Sequence, residues 1–353
     1  MFTSHLIRLV AGVTGLTVGL FVVTGCSNGQ ETAQGSSSDA SGVVPVGARV
    51  EGVVGAWELV SVEQRDATGD LLPPPEAPAF GAAGAMGLLV CDATGHLGLA
   101  IMQEGRPSYE DPTPEEALVD LEGYTGIFGT YTVNETEGAL NVHVQGSRDP
   151  RLTGTEQVWL ATREGDRLTL ELSVNESGTR PTLEWDRVPE MAELTPIHQR
   201  VIGFWEHVPN DGAGADEPPL RAGFIIYTAA GRMMVHLMSP TRDTYSSDGP
   251  TPDEAQSAVS TYTSYFGPYS LDEAGRYLVH HRVAHTLNLA DRPPAERRTG
   301  VGTDAQRFYE LVDDTMVLRF LSTAGVVAAP ASGDATEWGG MITWRRLGPV
   351  REN

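Results

Sequence analysis

The feature that most constrains this chain is an internal duplication. Gly55-Ala56-Trp57-Glu58 returns as Gly203-Phe204-Trp205-Glu206, and Asp92-Ala93-Thr94-Gly95-His96 as Thr228-Ala229-Ala230-Gly231-Arg232. Pro112-Thr113-Pro114-Glu115-Glu116-Ala117 recurs as Pro250-Thr251-Pro252-Asp253-Glu254-Ala255. Tyr124-Thr125-Gly126-Ile127-Phe128-Gly129-Thr130-Tyr131 recurs as Tyr262-Thr263-Ser264-Tyr265-Phe266-Gly267-Pro268-Tyr269. Val142-His143 pairs with Val279-His280, Thr155-Glu156-Gln157 approximately with Thr303-Asp304-Ala305-Gln306, and Trp185-Asp186-Arg187 with Trp344-Arg345-Arg346. The order never changes and the spacing drifts, so insertions fall in loops. Each copy spans roughly 135 to 145 residues, long enough to close its own core instead of stacking as a solenoid repeat. Two similar domains are expected, 50–189 and 196–348, joined by the short polar stretch Pro189 to Pro196. A length of 353 residues agrees, because single cores stop growing near ~150–250 residues.

Inside each copy the dominant period is two. Leu140, Val142 and Val144 alternate with Asn141, His143 and Gln145, and Leu168, Leu170 and Leu172 with Thr169 and Glu171, the mark of half-buried antiparallel strands. Asp92-Ala93-Thr94-Gly95, Glu135-Thr136-Glu137-Gly138 and Asp272-Glu273-Ala274-Gly275 supply turns between them. Only Pro114 to Gly123 and Pro252 to Thr263 read as helical, each opening with Thr-Pro and acids in the first turn. The expectation is all-β: two tandem antiparallel β-barrels, each with one short helix.

Residues 1–25 hold no acid, one Arg (Arg8) and an apolar run from Leu9 to Val23, a signal-peptide layout. The run ends at Val23-Thr24-Gly25-Cys26, which resembles the bacterial lipobox and implies acylation of Cys26. Residues 26–49 then form the acylated Cys and a flexible linker, poor in large apolar groups. The expected location is the bacterial cell envelope, on the exported side of a membrane; Ser27 favours the outer membrane where one exists. Cys91, the other cysteine, sits in Leu88-Leu89-Val90-Cys91 and reads as a buried apolar residue. The 47 acids outnumber 24 basic residues, all of them Arg, for a net charge of −23. Such a surface repels phosphate backbones, so no nucleic-acid partner is expected, and without Lys there is neither Schiff-base chemistry nor a Walker-type phosphate loop.

Taken together, Gly-x-Trp-Glu, the Ala-x-Gly-His/Arg turn, the Thr-Pro-Glu/Asp-Glu-Ala helix, Tyr-x-x-Ile/Tyr-Phe-Gly-x-Tyr, the Val-His strand and the closing Trp-x-Arg resemble the bacterial and fungal lipocalin-like domain family. The resemblance covers both copies, about 280 residues, and implies small antiparallel barrels with a cavity at one open end. Candidate ligand-binding residues are Tyr262, Tyr265, Phe266, Tyr269, His280 and Arg346 in the second copy, with Tyr124, Phe128, Tyr131, His143 and Arg187 in the first. The second cavity is expected to be the better formed, because Tyr265 and its aromatic neighbours stand where the first copy has Thr125, Gly126 and Ile127. Trp57 and Trp205 read as plugs of the closed ends. His280, His281 and His285 do not read as a metal site: on a strand, positions 281 and 285 lie about 13 Å apart. No cofactor and no catalytic residue is assigned.

Three functions remain open at this level. The first is a membrane-anchored lipoprotein whose barrels bind a small, mainly hydrophobic molecule. The second is an isomerase or hydrolase acting on such a molecule; the third is a structural or interaction module with filled barrels. A cavity with a converging His–carboxylate pair separates the second from the first, and the absence of a cavity marks the third.

Overall fold

A computed structural model describes residues 52–66, 68–72, 84–109, 111–173, 178–209, 222–247, 249–287, 299–321 and 338–348. The expected signal peptide, Cys26 and the expected linker lie outside the described residues. The first copy runs β1 (Gly55–Arg65), β2 (Ala85–Cys91), β3 (His96–Gln103), α1 (Pro114–Glu122), β4 (Tyr124–Asn134), β5 (Ala139–Ser147), β6 (Glu156–Glu164), β7 (Arg167–Glu171) and β8 (Arg180–Arg187). Every neighbouring pair is antiparallel, and β8 returns to β1 to close an eight-stranded barrel. The second copy is entered through α2 (Pro196–Val201) and runs β9 (Gly203–Val208), β10 (Ala222–Tyr227), β11 (Arg232–Met238), α3 (Pro252–Ser260), β12 (Tyr262–Asp272), β13 (Tyr277–Arg282), β14 (Ala284–His285), β15 (Thr303–Val312), β16 (Thr315–Leu321) and β17 (Trp338–Arg346). It closes through β9–β17 and β11–β12. Both tandem barrels are therefore present. The helix α2, capped by Thr195 with Pro196 at its first position, is an addition to the expected elements.

The repeated motif residues build the frame of each barrel. Trp57 and Trp205 are fully buried, and their Nε1 groups donate to Val53 O and Val201 O, each at 2.8 Å. Arg187 and Arg346 stack over these indoles at 5.2 and 4.1 Å from the ring centroids and donate to backbone carbonyls nearby. Tyr131 and Tyr269 clamp equivalent hairpins by donating to Asp92 O at 2.8 Å and Thr228 O at 3.1 Å. The repeated Phe-Gly has a steric cause. A Cβ at Gly129 would stand 2.0 Å from His143 O, and one at Gly267 1.9 Å from His281 O, so the bulged partner strand can approach only a glycine.

The two barrels share an apolar layer. Strands β2 and β3 are buried on both faces: Leu89, Leu97 and Leu99 enter the first core, while Leu88, Val90, Ala100 and Met102 face the second barrel. There they meet Phe224, Ile226, Met234 and Phe266, with Phe128 against Phe224 at 5.0 Å between centroids. Two arginines cross the layer in opposite directions. Arg106 donates to His285 O and Thr286 O, each at 2.7 Å, and Arg242 donates to Ser147 O and, at 2.7 Å, to Arg148 O. His285 and Thr286 are the counterparts of Ser147 and Arg148, so the junction is pseudo-twofold.

Candidate functional site

The register of the ladders corrects one pairing of the repeat. Tyr131 faces Val142 and Thr130 faces His143, whereas Tyr269 faces His280. Because Tyr131 and Tyr269 are equivalent, His280 is the counterpart of Val142, and His143 is the counterpart of His281. A one-residue offset reverses the face of a strand. His143 and His281 therefore point outward, half-exposed, beside Glu156 at 2.7 Å and Asp304 at 2.9 Å. His280 points inward and is fully buried.

Inside the second barrel lies a cavity of about 470 Å³. Ile225, Val235, Leu237, Leu318, Phe320, Ile342 and Trp344 supply its apolar wall, and Tyr265, His280, Arg282 and Arg307 its polar side. His280 is held between two phenols, Nε2 to Tyr227 Oη at 2.7 Å and Nδ1 to Tyr265 Oη at 3.1 Å. A neutral imidazole satisfies both bonds by donating at one nitrogen and accepting at the other. Burial, followed by the charges of Arg307, Arg282 and His281, holds its pKa well below the ordinary value. Arg282 lies over the Tyr265 ring and donates to Thr299 Oγ1 at 3.0 Å and Thr303 O at 3.2 Å. His285 stacks on Tyr265 at 5.3 Å, and its Nδ1 accepts from Leu287 N at 2.8 Å; burial pushes it down to about 3.

The mouth is shared between the barrels. α3 contributes Gln256, Val259 and Ser260, and the first barrel contributes Tyr109, Asp111, Pro112 and Asp120. Gln256 Nε2 donates to Pro112 O at 2.8 Å and ties that loop down. Asp120 is engaged by Arg148 and by Arg106 at 3.4 Å, all three buried.

At the equivalent places the first barrel is filled. Pairing of β5 with β6 and of β13 with β15 makes Trp159 the counterpart of Arg307; Val142, Val144 and Ile127 stand for His280, Arg282 and Tyr265. Val142 and Val144 are fully buried, Trp159 is 2% exposed, and all belong to one continuous core. A cavity is described in the second barrel, and the aromatic residues expected to line such a space take different places. Tyr262 and Tyr265 line the cavity. Phe266, Tyr124 and Phe128 belong to the layer between the barrels, where Tyr124 Oη bonds Ser264 Oγ at 2.9 Å. Tyr131 and Tyr269 are the hairpin clamps described above. Arg187 and Arg346 sit at the closed ends, beside a groove of about 510 Å³ between the barrels, because their guanidinium groups cover Trp57 and Trp205. The residues that sequence reading missed are Arg282 and Arg307. The spacing of 148 residues that relates Trp57 to Trp205 also relates Trp159 to Arg307, and was the available signal.

Among the described residues no three His, Cys, Asp or Glu side chains gather as a metal site, and no helix is long and apolar enough to cross a membrane. No carboxylate reaches His280 within hydrogen-bond distance among the described residues.

No curated protein is significantly similar to the chain. Among solved structures, the isotype 1 transferrin binding protein B of serogroup B Neisseria meningitidis aligns at 8% identity over 83% of this chain and 76% of its own, with a TM-score of 0.23. The lipocalin-like domain family matches residues 54–188 and 219–347, one region in each barrel. With eight-stranded closure in both copies and a family match over most of the chain, this protein belongs to the lipocalin-like domain family, as a tandem pair of its barrels.

Proposed function

We propose that the protein is a membrane-anchored lipoprotein whose second barrel binds a small, mainly apolar molecule, while the first barrel serves as a filled support. The observation that carries this reading is the cavity of about 470 Å³ inside the second barrel, within the roughly 300–1,000 Å³ of small-molecule sites. Its walls are mostly apolar; of its two buried histidines, His280 is satisfied by two tyrosines and His285 accepts from Leu287 N. That arrangement orients a ligand and offers no acid–base pair. The anchor rests on Val23-Thr24-Gly25-Cys26 after an apolar run, which suits acylation of Cys26 and residence in the bacterial envelope. The division into 1–25, 26–49, 50–189 and 196–348 belongs to the same reading.

Nile red, a neutral apolar dye, tests it on the full mature chain. One saturable site per chain is expected, lost when Leu318→Trp fills the cavity. A non-saturating response, or one unchanged by Leu318→Trp in a folded variant, refutes the reading.

A further inference from the structure

The hydrogen bonds behind the wall of the second cavity have a direction, and following it shows what the wall offers a ligand. Tyr227 is 1% exposed, and among the described residues its hydroxyl has one hydrogen-bond partner, His280 Nε2 at 2.7 Å. Its hydrogen has no other acceptor there, so Nε2 is the accepting nitrogen and the neutral imidazole carries its own hydrogen on Nδ1. That N–H is directed at Tyr265 Oη, 3.1 Å away, which therefore accepts. The opposite tautomer would strand the Tyr227 hydrogen in a closed core, a cost larger than a single bond repays. Tyr265 lines the cavity, and its hydroxyl has no second partner among the described residues. The series Tyr227, His280, Tyr265 thus runs one way and ends in an unused O–H at the cavity.

His285 reaches the same result by another route. Its Nδ1 accepts from the backbone N–H of Leu287 at 2.8 Å, so Nδ1 carries no hydrogen. Burial pushes its pKa down to about 3, which keeps the ring neutral and leaves its one ring hydrogen on Nε2. Nε2 bonds nothing among the described residues, and His285 lines the same cavity. Its ring stacks on that of Tyr265 with 5.3 Å between centroids and 10° between planes, and the two residues face each other across β12 and β14, so the two donors are neighbours. In the first barrel the ladders set Cys91 in the place of Tyr227, Val142 for His280, Ile127 for Tyr265 and Ser147 for His285, none of them a ring. The array is present in the barrel that holds the cavity and missing from the filled one.

We infer that the cavity takes an uncharged apolar molecule bearing a carbonyl oxygen, which accepts from Tyr265 Oη and His285 Nε2 while its carbon skeleton lies along Val235, Leu237, Leu318 and Ile342. This inference rests on the cavity reading above and adds the polar group of the ligand. A carbonyl oxygen has two lone pairs and no hydrogen, which complements two neutral donors. An alcohol accepts the same bonds, but its own hydrogen then needs an acceptor, and Tyr265 Oη and His285 Nδ1 are already accepting. A hydrocarbon leaves both donors unpaired in a site shielded from water. An ammonium head brings further donors to a cavity that the Arg307 guanidinium also lines, and is disfavoured by both.

The test uses the full mature chain with Nile red bound, displaced in turn by decan-2-one, decan-2-ol, decanoate and decylamine, which share one chain length and differ in the polar group. Decan-2-one is expected to displace the dye at concentrations about fivefold or more below decan-2-ol, with decylamine weakest. The infrared carbonyl stretch of bound decan-2-one, labelled with carbon-13 at the carbonyl, should lie below that of the same ketone in hexane, since donors at the oxygen weaken the C=O bond. Tyr265→Phe and His285→Leu should each weaken the ketone about fivefold and return part of that shift, with near-ultraviolet circular dichroism checking that each variant is folded. In the unaltered protein, equal displacement by ketone and alcohol, a preference for decanoate or decylamine, or a stretch equal to that in hexane overturns the inference without any variant. A folded Tyr265→Phe that leaves both the ketone affinity and the stretch unchanged overturns it as well. A dye that never binds saturably removes the cavity reading itself, which separates that failure from failure of the carbonyl assignment.

Discussion

Replacing Asp120 with Asn gives a test of the junction between the barrels. Asp120 is 4% exposed and is shared by Arg106 and Arg148, whose side chains are 1% exposed. Burial, then repulsion by Arg148, holds the Arg106 guanidinium down to about 10, with Asp120 and Tyr124 pulling the other way. Asn keeps the shape and an acceptor oxygen but takes the carboxylate from the buried Arg148, and removing one partner of a buried pair costs about 3–5 kcal/mol. Arg148 Nε and Nη1 have no hydrogen-bond partner among the described residues, so little else compensates there. Against a total stability of about 5–15 kcal/mol this is a large fraction. At a urea slope of about 3 kcal/mol per M, the unfolding midpoint of the full chain should fall by about 1–1.7 M. Adding Arg148→Met to Asp120→Asn should recover part of the loss, because one stranded charge is gone. A midpoint within about 0.2 M of the parent, with the same slope, would refute the claim that Arg148 depends on Asp120.

Further outcomes follow from the layer, the buried histidines, the filled barrel and the anchor. Residues 50–189 and 196–348 made separately should each melt cooperatively, since each owns a closed barrel, but should self-associate through Leu88, Val90 and Phe128 or Phe224, Ile226 and Phe266; monomeric halves in sedimentation would contradict the shared layer. Burial pushes His236 down to about 3. It is neutral when folded and takes up a proton on unfolding below its ordinary value of about 6.5, so its stabilisation is full above that pH and declines as pH falls towards 3. Folded His236→Gln should therefore flatten the dependence of unfolding free energy on pH by about 1.4 kcal/mol per unit between pH 6 and 4, and an unchanged slope would count against it. Trp159→Ala should lower stability by about 3–5 kcal/mol and open a space in the first barrel, read by urea unfolding; a loss under about 1 kcal/mol would mean that the barrel is not filled as described. Cys26→Ser should abolish lipid labelling and membrane partition, and unchanged labelling would end the lipoprotein proposal.

Much of the frame was legible along the chain because its causes are local or periodic. Alternation at Leu140, Val142 and Val144 reports a strand with one face in a core; Thr113-Pro114 and Thr251-Pro252 report helix starts through capping. Duplication did the rest, since Trp57 with Trp205, Gly129 with Gly267 and Tyr131 with Tyr269 meet the same steric and hydrogen-bonding demands twice. Leu88-Leu89-Val90-Cys91, with no alternation at all, already carried the trace of a strand buried on both faces.

What only the tertiary structure decided is which way the functional groups point and what they meet. Matching Val142-His143 to Val279-His280 by letters alone is one residue out, and on a strand that reverses inside and outside. The ladder fixes that register, together with a bulge near Val283 that no local pattern announces. The same holds for Arg307, whose meaning depends on standing opposite Leu278 where the other copy sets Trp159 opposite Leu140. Arg106 and Arg242 find their carbonyls across the layer, far away in sequence. Periodicity reports that a face is buried; only the packed partner reports whether it is buried in a core, against a second barrel or around a cavity.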